Sequence, residues 1–159
     1  MSDIEIDRPV PDFERPATGD TAFRLSGCRG RQVLLFFYPK ANTPGCTQEG
    51  KDFRDLHDAF AAANTLVVGV SRDGPKAQQN FSDKYDFPFP LLSDKDEGVC
   101  TLFGVIKEKN MYGKRVMGVE RSTFLIDADG VLRREWRGVK VKGHAEEALA
   151  AAKALHDGE

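Results

Sequence analysis

Two continuous apolar runs constrain this chain more than any other feature in it. QVLLFFY at 32–38 and TLVVGVS at 65–71 show no alternation of apolar and polar residues. Each therefore predicts a strand covered on both faces. Between them, Phe53, Leu56, His57 and Phe60 recur at helical spacing. This predicts one helix from about Thr43 to about Ala63, with Thr43 suited to the N-cap and Pro44 to the first helical position. A strand, a long helix and a strand in that order form a right-handed parallel crossover.

The remaining segments must be arranged around that unit. Pro75 opens a second helix with Ala77, Phe81 and Tyr85 on its apolar side, and FPFPLL at 87–92 reads as extended. Asp94 caps a short helix carrying Val99, Leu102 and Phe103, stopped by Gly104. Residues 107–118 are polar and glycine-containing and predict a long excursion. STFLID and VLRREWR flank Ala128-Asp129-Gly130 as a hairpin, and HAEEALAAAKAL ends the chain as a helix. There is no repeat, low-complexity tract or linker. The expectation is an α/β chain with a mixed central sheet flanked by helices, in a thioredoxin-like arrangement, forming a single domain over 1–159.

Composition removes several functional classes. The chain has 159 residues, 40% apolar and 30% charged, with a net charge of −2. That length supports one sizeable core, and no apolar segment is long enough to span a bilayer. The start, MSDIEIDRPVPDF, lacks the apolar stretch of a secretion signal. The three cysteines are too widely spaced for a disulfide framework, so a reducing cytoplasm is the expected location. The charge gives no general attraction to nucleic acid or anionic membrane. The basic stretch RREWRGVKVK at 133–142 reads as a solvated edge. Neither nucleic acid nor membrane is an expected partner. No Cys/His cluster has zinc spacing, and Asp127-Ala128-Asp129-Gly130 is a turn rather than a complete calcium loop. No metal and no cofactor are expected.

One residue stands out against this background. Cys46 follows Pro44-Gly45, in the first turn of the predicted helix. Backbone N–H groups there have no intrahelical acceptor, and the positive end of the helix dipole favours an anion. A thiolate is such an anion and is the reactive form of cysteine. An ordinary thiol, with a pKa near ~8.5, is only about 3% ionised at pH 7. Making it mostly anionic takes roughly 3.4 kcal/mol, whereas a helix end supplies about 0.3–1, or ~2 when partly buried. A reactive Cys46 therefore needs a cation beside it, and arginine is the one charged at any relevant pH. The competing reading is an inert, buried small hydrophobe.

Other thiol chemistries fit poorly. A cysteine phosphatase loop needs arginine where Asp52 stands. His57 lies roughly 16 Å along the helix from Cys46, too far to act as a protease base, and is better placed on the core face. His144 and His156 have no position that the sequence fixes. No C-x-x-C pair exists. GCTQEGKD at 45–52 nearly matches a phosphate-binding loop, but Asp52 replaces the metal-binding hydroxyl and Glu49 adds negative charge to the cradle. The alternatives to thiol chemistry are thus a nucleotide-binding domain using 45–52 and a non-catalytic thioredoxin-like binding module.

YPKANTPGCTQE resembles the peroxiredoxins, specifically the bacterioferritin comigratory protein (Q-type) group. Pro39, Thr43 and Cys46 fit that family's P-x-x-x-T-x-x-C motif. PDF at 11–13, LSGCRG at 25–30, FPFPLLSD at 87–94, LFGV at 102–105 and RSTFLIDADG at 121–130 are similar to family segments in the family's order. The resemblance implies a thiol-dependent peroxidase acting on hydrogen peroxide and organic hydroperoxides. It makes Cys46 the peroxidatic nucleophile, oxidised to sulfenic acid. Thr43 would hydrogen-bond the thiolate and the peroxide, and Pro39 would shield the site. Arg121 would be the required cation, and Glu49 the acid that orients it. Backbone N–H groups of Gly45 and Cys46 would hold the peroxide oxygens.

The sequence departs from that family at the second thiol. The two positions where relatives carry a resolving cysteine are Lys51 and Ser82 here. Cys100 matches a family cysteine without that role and reads as a packing residue, while Cys28 lies in a turn-like stretch. The implied mechanism is a one-cysteine one, with an external thiol as reductant: thioredoxin, glutaredoxin or a small thiol. A disulfide from Cys46 to Cys28 or Cys100 is the alternative. Relatives of this type are often monomers, and a monomer is expected.

Overall fold

The computed structural model describes residues 3–158. In chain order the elements are β1 (Glu14–Ala17), β2 (Thr21–Arg24), a single 3₁₀ turn (Leu25–Cys28), β3 (Gln32–Phe37), α1 (Pro44–Asp55), α2 (His57–Ala62), β4 (Thr65–Ser71), α3 (Pro75–Tyr85), β5 (Leu91–Ser93), α4 (Gly98–Leu102), β6 (Ile106–Met111), β7 (Lys114–Val119), β8 (Ser122–Ile126), β9 (Leu132–Arg137) and α5 (His144–His156). Seven strands form the main sheet in the order β2-β1-β5-β4-β3-β8-β9. Strands β3, β4 and β5 run parallel, while β8 lies antiparallel to β3 and β9 to β8. This is the mixed, helix-flanked sheet expected of a thioredoxin-like fold.

The uninterrupted apolar run of β3 explains the layering. Its side chains alternate between faces. Val33, Leu35 and Phe37 join one core with Val68, Val70, Phe103 and Phe124. Leu34, Phe36 and Tyr38 join the other, which holds Phe53, Phe60, Phe81 and the apolar residues of α5. Cys46 belongs to this second core, whereas buried Cys100 and half-buried Cys28 belong to the first. The sheet itself therefore separates Cys46 from both other thiols.

Four features differ from the sequence reading. The predicted single helix breaks at Leu56, whose φ of −102° and ψ of 8° leave the helical region. Its N–H bonds back to Phe53 rather than continuing the ladder. The break re-aims α2 so that Phe60 packs beside Phe53, which stacks on Phe36 with ring centroids 4.7 Å apart. In α3, Ala77 is exposed and Gln78 occupies the buried position of the first turn. The amide is satisfied at both ends there, accepting from Tyr38 Oη at 2.6 Å and donating to the Leu92 carbonyl at 2.7 Å. The long excursion at 107–118 is paired, which the sequence did not indicate: it forms the β6–β7 hairpin, a separate two-stranded sheet. It turns at Tyr112 and Gly113, both in left-handed conformation. The β1–β2 hairpin was also unforeseen, since Pro16 argues against a strand and its four-residue segments carry little pattern.

Asp94 does cap α4, but through its buried carboxylate, which accepts from the N–H groups of Val99 and Cys100. It is held by Arg15 Nε at 2.7 Å. The carboxyl ends of β3 and β4 open onto the loops 38–43 and 71–74, which form one rim of the sheet. In open α/β sheets that rim is where ligands bind.

Candidate active site

The β3–α1 loop is built to place the first turn of α1 over the end of the sheet. Asp73, just past β4, accepts from the Ala41 N–H at 2.8 Å and from Ser71 Oγ at 2.6 Å. Thr43 Oγ1 donates to the Lys40 carbonyl at 2.7 Å, so the hydroxyl closes the loop on itself. Thr43 does occupy the N-cap position and its carbonyl accepts the Thr47 N–H. Its side-chain oxygen, however, accepts no cap hydrogen bond from the first turn. Pro39 lies half-buried at the start of this loop.

Cys46 follows as the third residue of α1 and is only 1% exposed. Its Sγ lies 3.5 Å from Arg121 Nη2. Arg121 Nη1 donates to Glu49 Oε1 at 2.7 Å. Glu49 sits one turn after Cys46, so one helix face presents the sulfur and the carboxylate to a single guanidinium. Arg121 precedes β8, and its carbonyl accepts the Val139 N–H at 2.9 Å. A Cβ at Gly45 would stand 3.1 Å from Arg121 Nη2, so any side chain there would press on the guanidinium. The sequence-predicted residues Cys46, Glu49, Gly45 and Arg121 thus meet at one point, with Thr43 and Pro39 on the adjoining loop.

Burial dominates the electrostatics. It pushes the Glu49 carboxyl up to about 7, against the pull of Arg121, and Glu49 Oε2 has no hydrogen-bond partner. Burial also opposes the charge on Arg121, but Glu49 and Cys46 on either side together hold it above its ordinary range. Behind this pair, buried His144 shares a 2.8 Å hydrogen bond with Thr123 Oγ1. Its pKa is lowered by burial, with the charge of Arg121 adding to that. Burial, reinforced by Asp94, drives the Cys100 thiol far up, and burial raises Cys28 as well.

Other expectations resolve around this geometry. Residues 45–52 lie wholly inside α1, so there is no loop whose backbone could wrap a phosphate, and the nucleotide-binding alternative falls. His57 is half-buried, as a core-face histidine should be, with Nδ1 buried and unpartnered, and no hydrogen bond joins it to Cys46. Asp127 serves its hairpin, accepting from Asp129 N, Val131 N and Arg133 Nε. Lys51 rests over the Tyr85 ring, and Ser82 is buried in α3. A cavity of about 570 Å³ lies at the other end of the sheet beside Gln32, Asn64 and Asp127 and includes no residue of this site. The sequence reading missed Asp73 and His144. The polar Ser71-Arg72-Asp73 ending an otherwise apolar strand was the available signal for Asp73, whereas His144 had none.

A thioredoxin-like sheet with a buried thiol at a helix N-terminus, facing a guanidinium fixed by a carboxylate, defines a thiol-dependent peroxidase. The chain belongs to the AhpC/TSA family, which matches residues 6–135, and within it to the peroxiredoxins of the bacterioferritin comigratory protein (Q) group. Peroxiredoxin Bcp of Xanthomonas campestris is 49% identical over 156 residues, 97% of this chain and 98% of that protein. Peroxiredoxin Bcp of Bacillus subtilis is 44% identical over 154 residues, with 97% and 98% covered. The solved structure of Xanthomonas campestris Peroxiredoxin Q superposes with a TM-score of 0.90 at 47% identity, over 98% of this chain and 99% of that one. A further structure concerns the alkyl peroxide reduction activity of the Xanthomonas campestris bacterioferritin comigratory protein. Its TM-score is 0.87 at 49% identity, with 91% and 92% covered. Membership in this family sets aside the non-catalytic binding module.

Proposed function

We propose that Cys46 is the peroxidatic nucleophile and that the residues around it stabilise charge as the peroxide bond breaks. The Cys46 thiolate attacks the nearer oxygen of ROOH, the O–O bond breaks, and its electron pair leaves on RO⁻, which takes up a proton to give ROH. Cys46 becomes a sulfenic acid. Arg121 and the N–H groups of Gly45 and Cys46, which lack acceptors in the first helical turn, stabilise the charge on the departing oxygen. Thr43 Oγ1, its own proton given to Lys40, accepts from the peroxide O–H and aligns it with the sulfur. Pro39 shields the loop side, and Glu49 holds Arg121 in place. The observation that carries this reading is the contact chain Cys46 Sγ–Arg121–Glu49 at 3.5 and 2.7 Å.

Hydrogen peroxide and alkyl hydroperoxides are the substrates, in line with the alkyl peroxide reduction associated with the Xanthomonas campestris relative. The reductant is an external thiol: thioredoxin, glutaredoxin or a small thiol. This is supported by the position of Cys28 and Cys100 in the core on the other side of the sheet. All three cysteines are free, which suits a reducing cytoplasm. The chain works as one catalytic domain and as a monomer. The short roll of exposed large apolar side chains supports this: Ile6, Tyr112, Val116 and Met117 among the described residues. The direct test is peroxide consumption with dithiothreitol by the wild type and Cys46→Ser. The variant should lose turnover entirely, and residual turnover at the wild-type rate would sink the assignment.

A further inference from the structure

A groove of about 480 Å³ runs beside the active-site helix, between Gln48 and Asp52 on one wall and Val141, Lys142, Gly143 and Glu146 on the other. Both walls lead to Arg121. Gly45, Gln48 and Asp52 share one face of α1, and Gly45 lies directly against the guanidinium. The opposite wall continues from Val139, whose N–H bonds the Arg121 carbonyl. Asp52, Lys142 and Glu146 bring charges of both signs to the lining, beside Val141 and Gly143. Lys142 and Glu146 form no ion pair or side-chain hydrogen bond among the described residues. Among the described residues the Asp52 carboxylate accepts only from Gln48 Nε2, at 2.8 Å. One unpartnered cation beside two carboxylates matches a zwitterion, with its carboxylate at Lys142 and its ammonium between Asp52 and Glu146.

Length narrows the choice further. From Gly45 to Asp52 the helix rises about 10 Å, and about three extended residues of peptide span the same distance. We propose that this groove binds the reducing thiol, and that the thiol is a small peptide carrying an α-amino-carboxylate. This rests on the assignment of Cys46 above. Bound there, its sulfur reaches the mouth at Gly45 and attacks the sulfenic sulfur of Cys46. The S–O bond breaks, water leaves, and a Cys46–S–S–R disulfide forms. A second thiol molecule attacks the R sulfur, releasing RSSR and the Cys46 thiolate. Two thiols are thereby oxidised for each peroxide reduced.

Reduced glutathione is the probe and dithiothreitol, which is uncharged, the comparison. One equivalent of peroxide is added, and sulfenic acid at Cys46 is followed by mass after dimedone trapping. Its decay is then measured against each thiol. The decay should saturate with glutathione. Lys142→Ala and Glu146→Gln should each raise the half-saturating concentration about threefold to fivefold and leave the dithiothreitol rate unchanged. A decay linear in glutathione up to about 10 mM, above the usual range of KM values, overturns the groove alone. So do equal changes with both thiols. Failure to form sulfenic acid at Cys46 overturns the nucleophile assignment and the groove's role together.

Discussion

Arg121 serves two partners with one guanidinium, and its planar fork is what allows this: Nη2 faces the Cys46 sulfur while Nη1 is held by Glu49. Removing it in Arg121→Ala takes away the donor nearest the reacting atoms. The second-order rate with peroxide should fall by about 10²–10³-fold, and Arg121→Lys, which cannot fill both positions, should recover only part of it. Stopped-flow peroxide consumption measures this, and a variant within about twofold of wild type would contradict the assigned role. Glu49 makes a second prediction, because burial raises its carboxyl to about 7. Below that pH it protonates and ceases to anchor Arg121 by charge. The ratio of wild-type to Glu49→Gln rate should therefore rise with pH through about 7 and level off above it. A ratio flat from about pH 6 to 8 would remove Glu49 from the mechanism. Stability runs the other way. Between its ordinary 4.5 and about 7, the unfolded chain has released a proton that the folded chain still holds. Unfolding free energy should thus fall with rising pH across that window, relative to Glu49→Gln, by on the order of 3 kcal/mol. Urea titrations at several pH values test the sign. The site holds an anion where burial disfavours it, and the fold accepts that loss of stability to keep Arg121 aimed at the sulfur.

At the scale of elements, α1 is pressed so closely against its neighbours that helix propensity stops being the deciding factor. Gly50 lies mid-helix, where alanine would ordinarily gain about 1 kcal/mol. A Cβ there would stand 2.5 Å from Phe87 Cζ, and Phe87 is fixed by stacking on Phe89 with ring centroids 5.2 Å apart. Gly50→Ala should therefore lower the melting temperature, with overpacking costing about 1–3 kcal/mol. A variant as stable as wild type would show that the aromatic cluster yields. The same contrast separates what was legible in the sequence from what was not. The parallel unit of β3, α1 and β4 was readable because its strands are apolar without interruption and its helix begins on Thr-Pro. Cys46 and its need for an arginine were readable from the helix start and the energy a thiolate demands, whereas Arg121, Glu49 and Thr43 entered through the family motif; the structure brings Cys46, Arg121 and Glu49 into contact. The β6–β7 hairpin left no such trace. Its residues are largely exposed, so pairing within the ribbon, rather than burial against a core, determines its form. The break at Leu56 and the choice of Gln78 over Ala77 were set by packing partners far away in sequence: Phe36 for the first, Tyr38 and Leu92 for the second. Asp73 belongs with these, since its role depends on β4 ending beside β3 in the sheet.

For the molecule as a whole, the seven-stranded sheet sorts the thiols as well as supporting the site. Cys46 packs with Phe36, Tyr38 and Phe53 on one face, while Cys100 and Cys28 pack with Phe37, Val70 and Leu25 on the other. A disulfide needs its Cα atoms within about 7 Å. Packed layers on opposite faces of a sheet lie about 10 Å to either side of it, so joining Cys46 to either thiol requires at least one of them to leave its packing. Cys100 is also a poor nucleophile where it stands, with burial and the Asp94 carboxylate both holding it protonated. The positions from which a resolving thiol could approach along the helices are filled by Lys51, lying over Tyr85, and by buried Ser82. The double variant Cys28→Ser/Cys100→Ser should therefore keep at least about half of the wild-type turnover with dithiothreitol, allowing for a modest packing loss at Cys100. After one equivalent of peroxide, the intact wild-type chain should gain one oxygen in mass rather than lose two hydrogens. Excess peroxide should add a second oxygen at Cys46, because no internal thiol intercepts the sulfenic acid. Loss of turnover in the double variant, together with a Cys46–Cys28 or Cys46–Cys100 peptide that forms as fast as peroxide is consumed, would show that a thiol leaves its packing during catalysis.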